Sequence, residues 1–253
     1  MKLLRDIRLL YMDSMRHSFK NPMLIFLSLF QPLMFMLLYM PLLGGLGAVP
    51  GITGGGTLNL FIPGLLVMQA IFEGGFVGFS LIDDIRSGLI NRLLVTPVSR
   101  SAILLGKILR DTTVVLMQCV LITLVALPFG LSLNPVGFLL SLVLYALMGI
   151  IMSSISYGFA LIYKSDDSLA PTMNTLTLPI SLLAGIFLPL ALAPLWLQYL
   201  GKINPFSYGV DATRELFMGN FLNVNILVGF VVLGVMAVAV FYWTLYQLNK
   251  MAK

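Results

Sequence analysis

The sequence has little charge and almost none of the residues that bind metals or form disulfides. It contains one cysteine, Cys119, and one histidine, His17, among 253 residues, and only 10% of its residues are charged. These counts exclude a disulfide scaffold within the chain and a metal site built from several cysteine or histidine ligands. Cys119 lies within an apolar run and is predicted to be a small core residue.

The chain is rich in long runs of apolar residues. Hydrophobic residues make up 59% of the chain, whereas soluble domains carry about 25% charged residues. Such a composition predicts an integral membrane protein, and runs of about 20 apolar residues select α-helices. The run MLIFLSLFQPLMFMLLYMPLL follows a basic segment, as in a secretory signal. It is long enough to span a bilayer, so we expect an uncleaved first span.

The hydropathy pattern predicts an all-α membrane protein with six transmembrane helices in one domain, 1–253. Thirteen of the fifteen Lys and Arg residues then lie on one side, and only Lys202 and Arg214 lie on the other. By the positive-inside rule, the side with thirteen basic residues is cytoplasmic, and both termini lie on it. The chain is thus predicted to be a multi-pass protein of the inner (plasma) membrane. Residues 1–22 are predicted to form an amphipathic interfacial helix. The predicted spans are 23–43, 58–82, 101–128, 135–162, 168–189 and 226–248.

The stretch DDIRSGLINRLLVTPVSRSAILLGKILRD, from Asp83 to Asp111, gathers charge between two apolar runs. Within 83–100, apolar residues recur at spacings of three and four, which predicts a short amphipathic helix on the cytoplasmic face. We expect Asp83 and Asp84 at its start, where carboxylates cap exposed amides, and the proline of TPVSR at its end. On periodicity alone, a solvated loop with positive-inside charges fits equally well.

Two blocks of the sequence resemble a known family. The run with LLVTPVSR followed by LLGK is similar to the cytoplasmic segment between the second and third helices of type-2 ABC exporter permeases, which include daunorubicin-resistance permeases. The block LLAGIFLPLALAPLWLQYLGKINPFSYGVDATREL, from Leu182 to Leu216, is similar to the signature before that family's last helix. The resemblance implies a permease that pairs with two ABC ATPase subunits and with a second copy of itself or a homologous permease.

The resemblance also implies that the segment 83–100 is a coupling helix that inserts into a groove on the ATPase. The chain has no GxxxxGK[ST] loop, so ATP and magnesium are expected on the partner ATPase and no cofactor in this chain. It has no HExxH or GxSxG motif, and no catalytic residue is expected. Basic residues sit beside apolar spans, which argues against a nucleic-acid partner. The implied coupling residues are Asp84, Ile85, Arg86, Leu89, Ile90, Arg92, Leu93 and Leu94.

Two further segments are candidates for the substrate path. Small and weakly polar residues on one face of the fifth span indicate either helix packing or a substrate-facing stripe, and in a dimer both roles can merge. The segment 190–225 is broken by proline and glycine and predicts short outer or re-entrant helices, which the resemblance implies form an outer gate. The spacing of Asp211 and Arg214 predicts an ion pair. The stripe comprises Asn174, Thr177, Ser181 and Gly185, and the gate Pro189, Trp196, Asn204, Pro205, Tyr208, Asp211 and Arg214.

Glu73 is the one carboxylate that we expect in the middle of a span. A charge at mid-bilayer costs on the order of 3 kcal/mol, so it needs a partner or a proton. Glu73 lies ten residues before Asp83, and Arg110 lies ten residues after Arg100. Each separation is roughly 15 Å of helix, which predicts that the two charges lie at one level and pair. Lys107 is the second choice of partner, and a protonated Glu73 facing a watery cavity is the alternative.

These observations favour the membrane subunit of an ATP-driven exporter whose substrate is amphiphilic, such as a drug, an antibiotic or a lipid. The apolar spans offer no cluster of charge for a strongly charged cargo, although export of a lipid-linked polysaccharide remains an alternative. A membrane-embedded lipid-modifying enzyme needs convergent nucleophiles, carboxylates or metal ligands, which the sequence lacks. A membrane anchor or sensor that does not transport is a third alternative.

Overall fold

The computed structural model describes residues 2–19, 28–39, 56–96, 98–186, 190 and 193–251. These residues form α-helices, one short 3-10 turn at Leu127–Phe129 and no strand, which confirms the predicted all-helical fold. The helices are α1 (Lys2–Phe19), α2 (Ser28–Tyr39), α3 (Gly56–Phe76), α4 (Gly78–Arg86), α5 (Leu89–Leu94), α6 (Arg100–Ala126), α7 (Pro135–Tyr163), α8 (Asp166–Leu183), α9 (Leu195–Ile203), α10 (Pro205–Met218) and α11 (Val224–Met251).

Four of the predicted spans are long, apolar helical stretches. These are Leu58–Arg86, Arg100–Phe129, Pro135–Tyr163 and Val224–Met251, the second, third, fourth and sixth spans. The first predicted span extends beyond α2 into residues outside the described ranges. The fifth is shorter than predicted, because α8 ends at Leu183 and the chain turns at Gly185, whose φ is +70°.

Helix α7 is the centre of the bundle and packs against α3, α6, α10 and α11. Buried apolar side chains form one large cluster around it and a smaller one at the end that carries Asp84, Arg86 and Lys107, here called the charged end. In contrast, α11 exposes Leu227 and Val235, both more than 60% accessible. Apolar surface of this kind suits contact with lipid.

The second span is interrupted between α3 and α4 by a hydroxyl group from α7. Ser156 Oγ donates to the Gly75 carbonyl at 2.6 Å and accepts from the Gly78 amide at 2.9 Å. The two helices approach closely, since a Cβ at Gly74 would lie 2.8 Å from Met152 Cβ and one at Gly78 only 2.6 Å from Ser156 Oγ. Glycines four residues apart therefore form the crossing surface between the second and fourth spans.

Two Asn-Pro pairs start helices and set the direction of the chain. Asn134 accepts hydrogen bonds from two amides of α7, and Asn204 accepts one at 3.1 Å from the Phe206 amide of α10. The proline that follows each asparagine occupies the first helical position, where a missing N–H costs nothing. As a result α10 begins directly after α9 and turns back toward the bundle, against α3, α7 and α11.

We predict that Gly78→Ala destabilises the purified protein. The added methyl group would overlap Ser156 and force α4 away from α7, a change that costs about 1–3 kcal/mol and lowers the Tm by about 2–10 °C. Gly234→Ala on α11 is the matched control, because no described atom lies within 4 Å of its added Cβ. Equal Tm values for the two variants in a detergent thermal-unfolding assay would contradict the packing described.

Candidate functional site

The charged segment is two helical pieces and not one. Helix α4 continues the second span as far as Arg86, Gly88 turns with φ +73°, and α5 follows as a single short helix. The predicted helix 83–100 is therefore wrong in its extent, and Asp83 and Asp84 lie in the last turns of α4. The reason is the left-handed conformation of Gly88, which a residue with a side chain adopts only at a cost and which ends the helix before it.

One side of α5 is anchored in the bundle and the other is exposed. Ile90 is fully buried in the cluster at the charged end, against which Leu93 also packs. Leu89 is 43% accessible, and Arg92 is exposed. Ile90 is thus an anchor for α5, whereas Leu89 and Arg92 are available to a partner; the side chain of Leu94 lies outside the described residues.

Polar contacts tie this segment to the rest of the charged end. Asp84 of α4 pairs with Lys107 of α6, and Arg86 pairs with Asp166 at the start of α8. Arg100 Nη1, at the start of α6, donates to Asn249 Oδ1 of α11 at 3.0 Å. The exposed Arg86 pair contributes little stability by itself, but together the contacts link α4 to α6 and α8, and α6 to α11.

A buried charged cluster lies farther along α6. Arg110 Nη1 is 2.9 Å from Asp111 Oδ1, and the hydroxyl of the buried Tyr157 donates to Asp111. The predicted ion pair between Glu73 and Arg110 is not among the ion pairs of the described residues, and Lys107, the second choice, pairs with Asp84. The prediction that Glu73 is the one carboxylate in the middle of a span is wrong. Asp111 is 1% accessible, and its position within the predicted span 101–128 was the signal missed.

The polar contacts of Glu73 come from uncharged side chains. Its carboxylate is hydrogen-bonded by the Gln118 side chain of α6. Gln118 in turn accepts a hydrogen bond from Gln69 Nε2 at 2.9 Å and donates one to Ser28 Oγ at 2.6 Å. These contacts bring together α2, α3 and α6 around one carboxylate.

The residues of the predicted polar stripe on α8 lie in different environments. Thr177 and Ser181 are buried, and Ser181 donates to the Thr177 carbonyl at 2.7 Å. Asn174 is exposed and donates to the Ala170 carbonyl of its own helix, and Gly185 lies beyond the helix end. Thr177 and Ser181 therefore contribute to packing within the chain, and Asn174 points away from it.

The predicted gate residues also occupy different environments. Asn204 caps α10 and donates to the Ile180 carbonyl of α8 at 2.7 Å, and Tyr208 donates to the Lys202 carbonyl at 2.9 Å. Trp196 on α9 is 64% accessible, and Pro189 lies outside the described residues. The segment thus forms two short helices, of which α10 is attached to the end of α8.

Arg214 makes the second attachment between α10 and α8. It is 5% accessible, and its Nη2 donates to the carbonyls of Gly185 and Ile186 at 2.8 and 3.0 Å, while Nε donates to the Leu60 carbonyl at 3.2 Å. The predicted ion pair with Asp211 is not found among the ion pairs of the described residues. The turn at Gly185 leaves carbonyls that a bilayer cannot hydrate, and the planar guanidinium satisfies them.

Within the described residues, no group of three or more His, Cys, Asp or Glu side chains could hold a metal ion.

The part of the chain that matches a known protein family includes both motif blocks. Residues 5–218 match the model of the ABC-2 type transporter family. The inner membrane transport permease YadH of Escherichia coli K12 is 29% identical over 230 residues, which are 88% of each chain. The putative transport permease ycf38 of Pyropia yezoensis is 28% identical over 223 residues, 85% of this chain and 75% of that protein. The daunorubicin resistance ABC transporter permease protein DrrB1 of Streptomyces coeruleorubidus is 26% identical over 193 residues, 74% of this chain and 66% of that protein.

We predict that Arg214→Lys destabilises the chain and that Asp211→Asn does not. Lysine cannot place planar donors on three carbonyls, and losing charged hydrogen bonds costs about 2 kcal/mol or more, which lowers the Tm by about 4–8 °C. Asp211 is exposed, so its neutralisation should change stability by about 0.5 kcal/mol at most. The Tm of both variants is measured by thermal unfolding in detergent. If both substitutions lower the Tm equally, the result contradicts this assignment and favours an ion pair between Asp211 and Arg214.

Proposed function

Because the chain belongs to the ABC-2 type transporter family, we propose that it is the membrane subunit of an ATP-driven exporter that moves an amphiphilic substrate out of the cytoplasm or the inner leaflet. The chain is a multi-pass permease without catalytic activity of its own, and the ATPase is a separate protein. In this proposal it lies in the inner (plasma) membrane, with its charged end and both termini in the cytoplasm. Thirteen of its fifteen basic residues support that orientation.

The observation that carries the proposal is the construction of α5. A short helix anchored by Ile90 and exposing Leu89 and Arg92 suits contact with a soluble partner. The pairs Asp84–Lys107 and Arg86–Asp166 connect this segment to α6 and α8. We propose that closure of two ATPase subunits moves α4 and α5 and that these contacts pass the movement to the spans.

The substrate path in this proposal lies between two permease subunits. The exposed side of α8, which carries Asn174, faces the second subunit, and the segment from α9 to α10 closes the outer side. An amphiphilic cargo suits a path that is mainly apolar with few polar groups. The relative named for daunorubicin resistance supports a drug among the candidate substrates.

We predict that Leu89→Asp prevents association with the ATPase. The substitution places a charge where the proposal has an apolar contact, and it leaves the anchor Ile90 in place. The ATPase that co-purifies with the tagged wild-type chain should be absent from the variant, and substrate-stimulated ATP hydrolysis should be lost. Leu222→Asp is the control, because Leu222 is fully exposed in the turn between α10 and α11. Retention of the ATPase by Leu89→Asp would refute this docking surface.

We predict that Asn174→Cys forms a cross-link between two copies of the chain. In a Cys119→Ala background, an oxidant should convert the Asn174→Cys variant to a disulfide-linked dimer in membranes. Ser181→Cys is the matched control on the same helix, because its side chain is buried within one chain. A non-reducing gel that shows monomer for both variants would contradict the proposed position of α8 between subunits.

A further inference from the structure

The buried charges near the charged end leave one carboxylate without a cation. Arg110 is paired with Asp111, and Lys107 is paired with Asp84. Glu73 has no Lys, Arg or His within ion-pair distance among the described residues. These two ion pairs and Glu73 together have three carboxylates and two cations, so an ionised Glu73 carries the excess negative charge.

The groups around Glu73 orient its carboxylate without neutralising it. Gln118 is its hydrogen-bond donor, and Gln118 is itself held by Gln69 and Ser28. Arg110 and Asp111, on the neighbouring helix α6, are paired with each other. A carboxylate whose hydrogen-bond donor is itself held by two further side chains has a fixed orientation, as polar groups in a recognition site do.

Glu73 is more accessible than the two glutamines near it. Gln69 and Gln118 are 5% and 0% accessible, whereas Glu73 is only partly buried. On α3 the partly buried Phe76 lies three residues after Glu73, and Gln69 lies four residues before it, so the three share one helix face. A carboxylate beside an aromatic ring suits an organic cation, because both attract positive charge.

We propose that Glu73, with Gln69, Gln118 and Phe76, binds the cationic head of an amphiphilic substrate. This inference rests on the proposed transport function and deepens it by naming the substrate class. The carboxylate supplies the attraction, the amides hold its orientation, and the apolar surfaces of α2, α3 and α6 suit the hydrophobic part of the ligand.

Binding of a matched pair of probes tests the proposal. The wild-type chain with its ATPase, in nanodiscs of uncharged lipid, is titrated with methyltriphenylphosphonium and with the uncharged triphenylphosphine oxide. We expect the wild type to prefer the phosphonium. Glu73→Gln should lose at least tenfold in affinity for the phosphonium and keep its affinity for the oxide, whereas Glu73→Asp should retain the preference for the cation.

Asp167→Asn is the control, because it removes one carboxylate that is exposed at the charged end and distant in sequence from Glu73. It should bind both probes as the wild type does. The proposal is overturned if the wild type shows no preference for the phosphonium, if Glu73→Gln binds it as tightly as the wild type, or if Glu73→Gln loses both probes equally. The second of these outcomes is expected if Glu73 is simply protonated.

Co-purification of the ATPase and basal ATP hydrolysis are measured on the same samples. If the wild type binds no ATPase, the transport proposal fails, whatever the probes show. If the ATPase binds and hydrolyses ATP but the phosphonium is not preferred, only the inference about Glu73 fails.

Discussion

The structure depends on one constraint, which is that a bilayer offers no hydrogen-bond partner to a polar group. At two places where the described helices are interrupted, a side chain from another helix satisfies the exposed backbone. Ser156 does so between Gly75 and Gly78, and Arg214 does so at the turn after α8. Each interruption is therefore also a connection between helices that are distant in the sequence.

These connections make α8 the element that joins the two ends of the molecule. Its first residue, Asp166, pairs with Arg86 at the charged end. Its last turn is held by Asn204, which caps α10, and the turn that follows it is held by Arg214 of α10. The helix between these attachments contains Pro171 and Pro179. A displacement of α4 at the charged end thus has a direct structural route, through one helix, to the short helices at the opposite end.

Much of the architecture could be predicted because it depends on patterns local in the sequence. Runs of apolar residues located four spans, and the two motif blocks indicated the family. The partners of individual polar side chains could not be predicted, since they depend on which helices pack together. Arg214 has a carboxylate three residues away and still binds carbonyls from α3 and from the turn after α8. The pair Ser87-Gly88 is typical of a turn, and the prediction of one helix over 83–100 did not use that signal.

The central claim is that this chain forms a substrate pathway driven by a separate ATPase. The most direct measurement is ATP-dependent movement of a fluorescent amphiphile in proteoliposomes that contain the chain and its ATPase. The account predicts transport that requires both proteins and ceases when the lysine of the ATPase's phosphate-binding loop is replaced by alanine. Transport that persists without the ATPase or with that inactive ATPase, or its complete absence when both active proteins are assembled, would contradict the account.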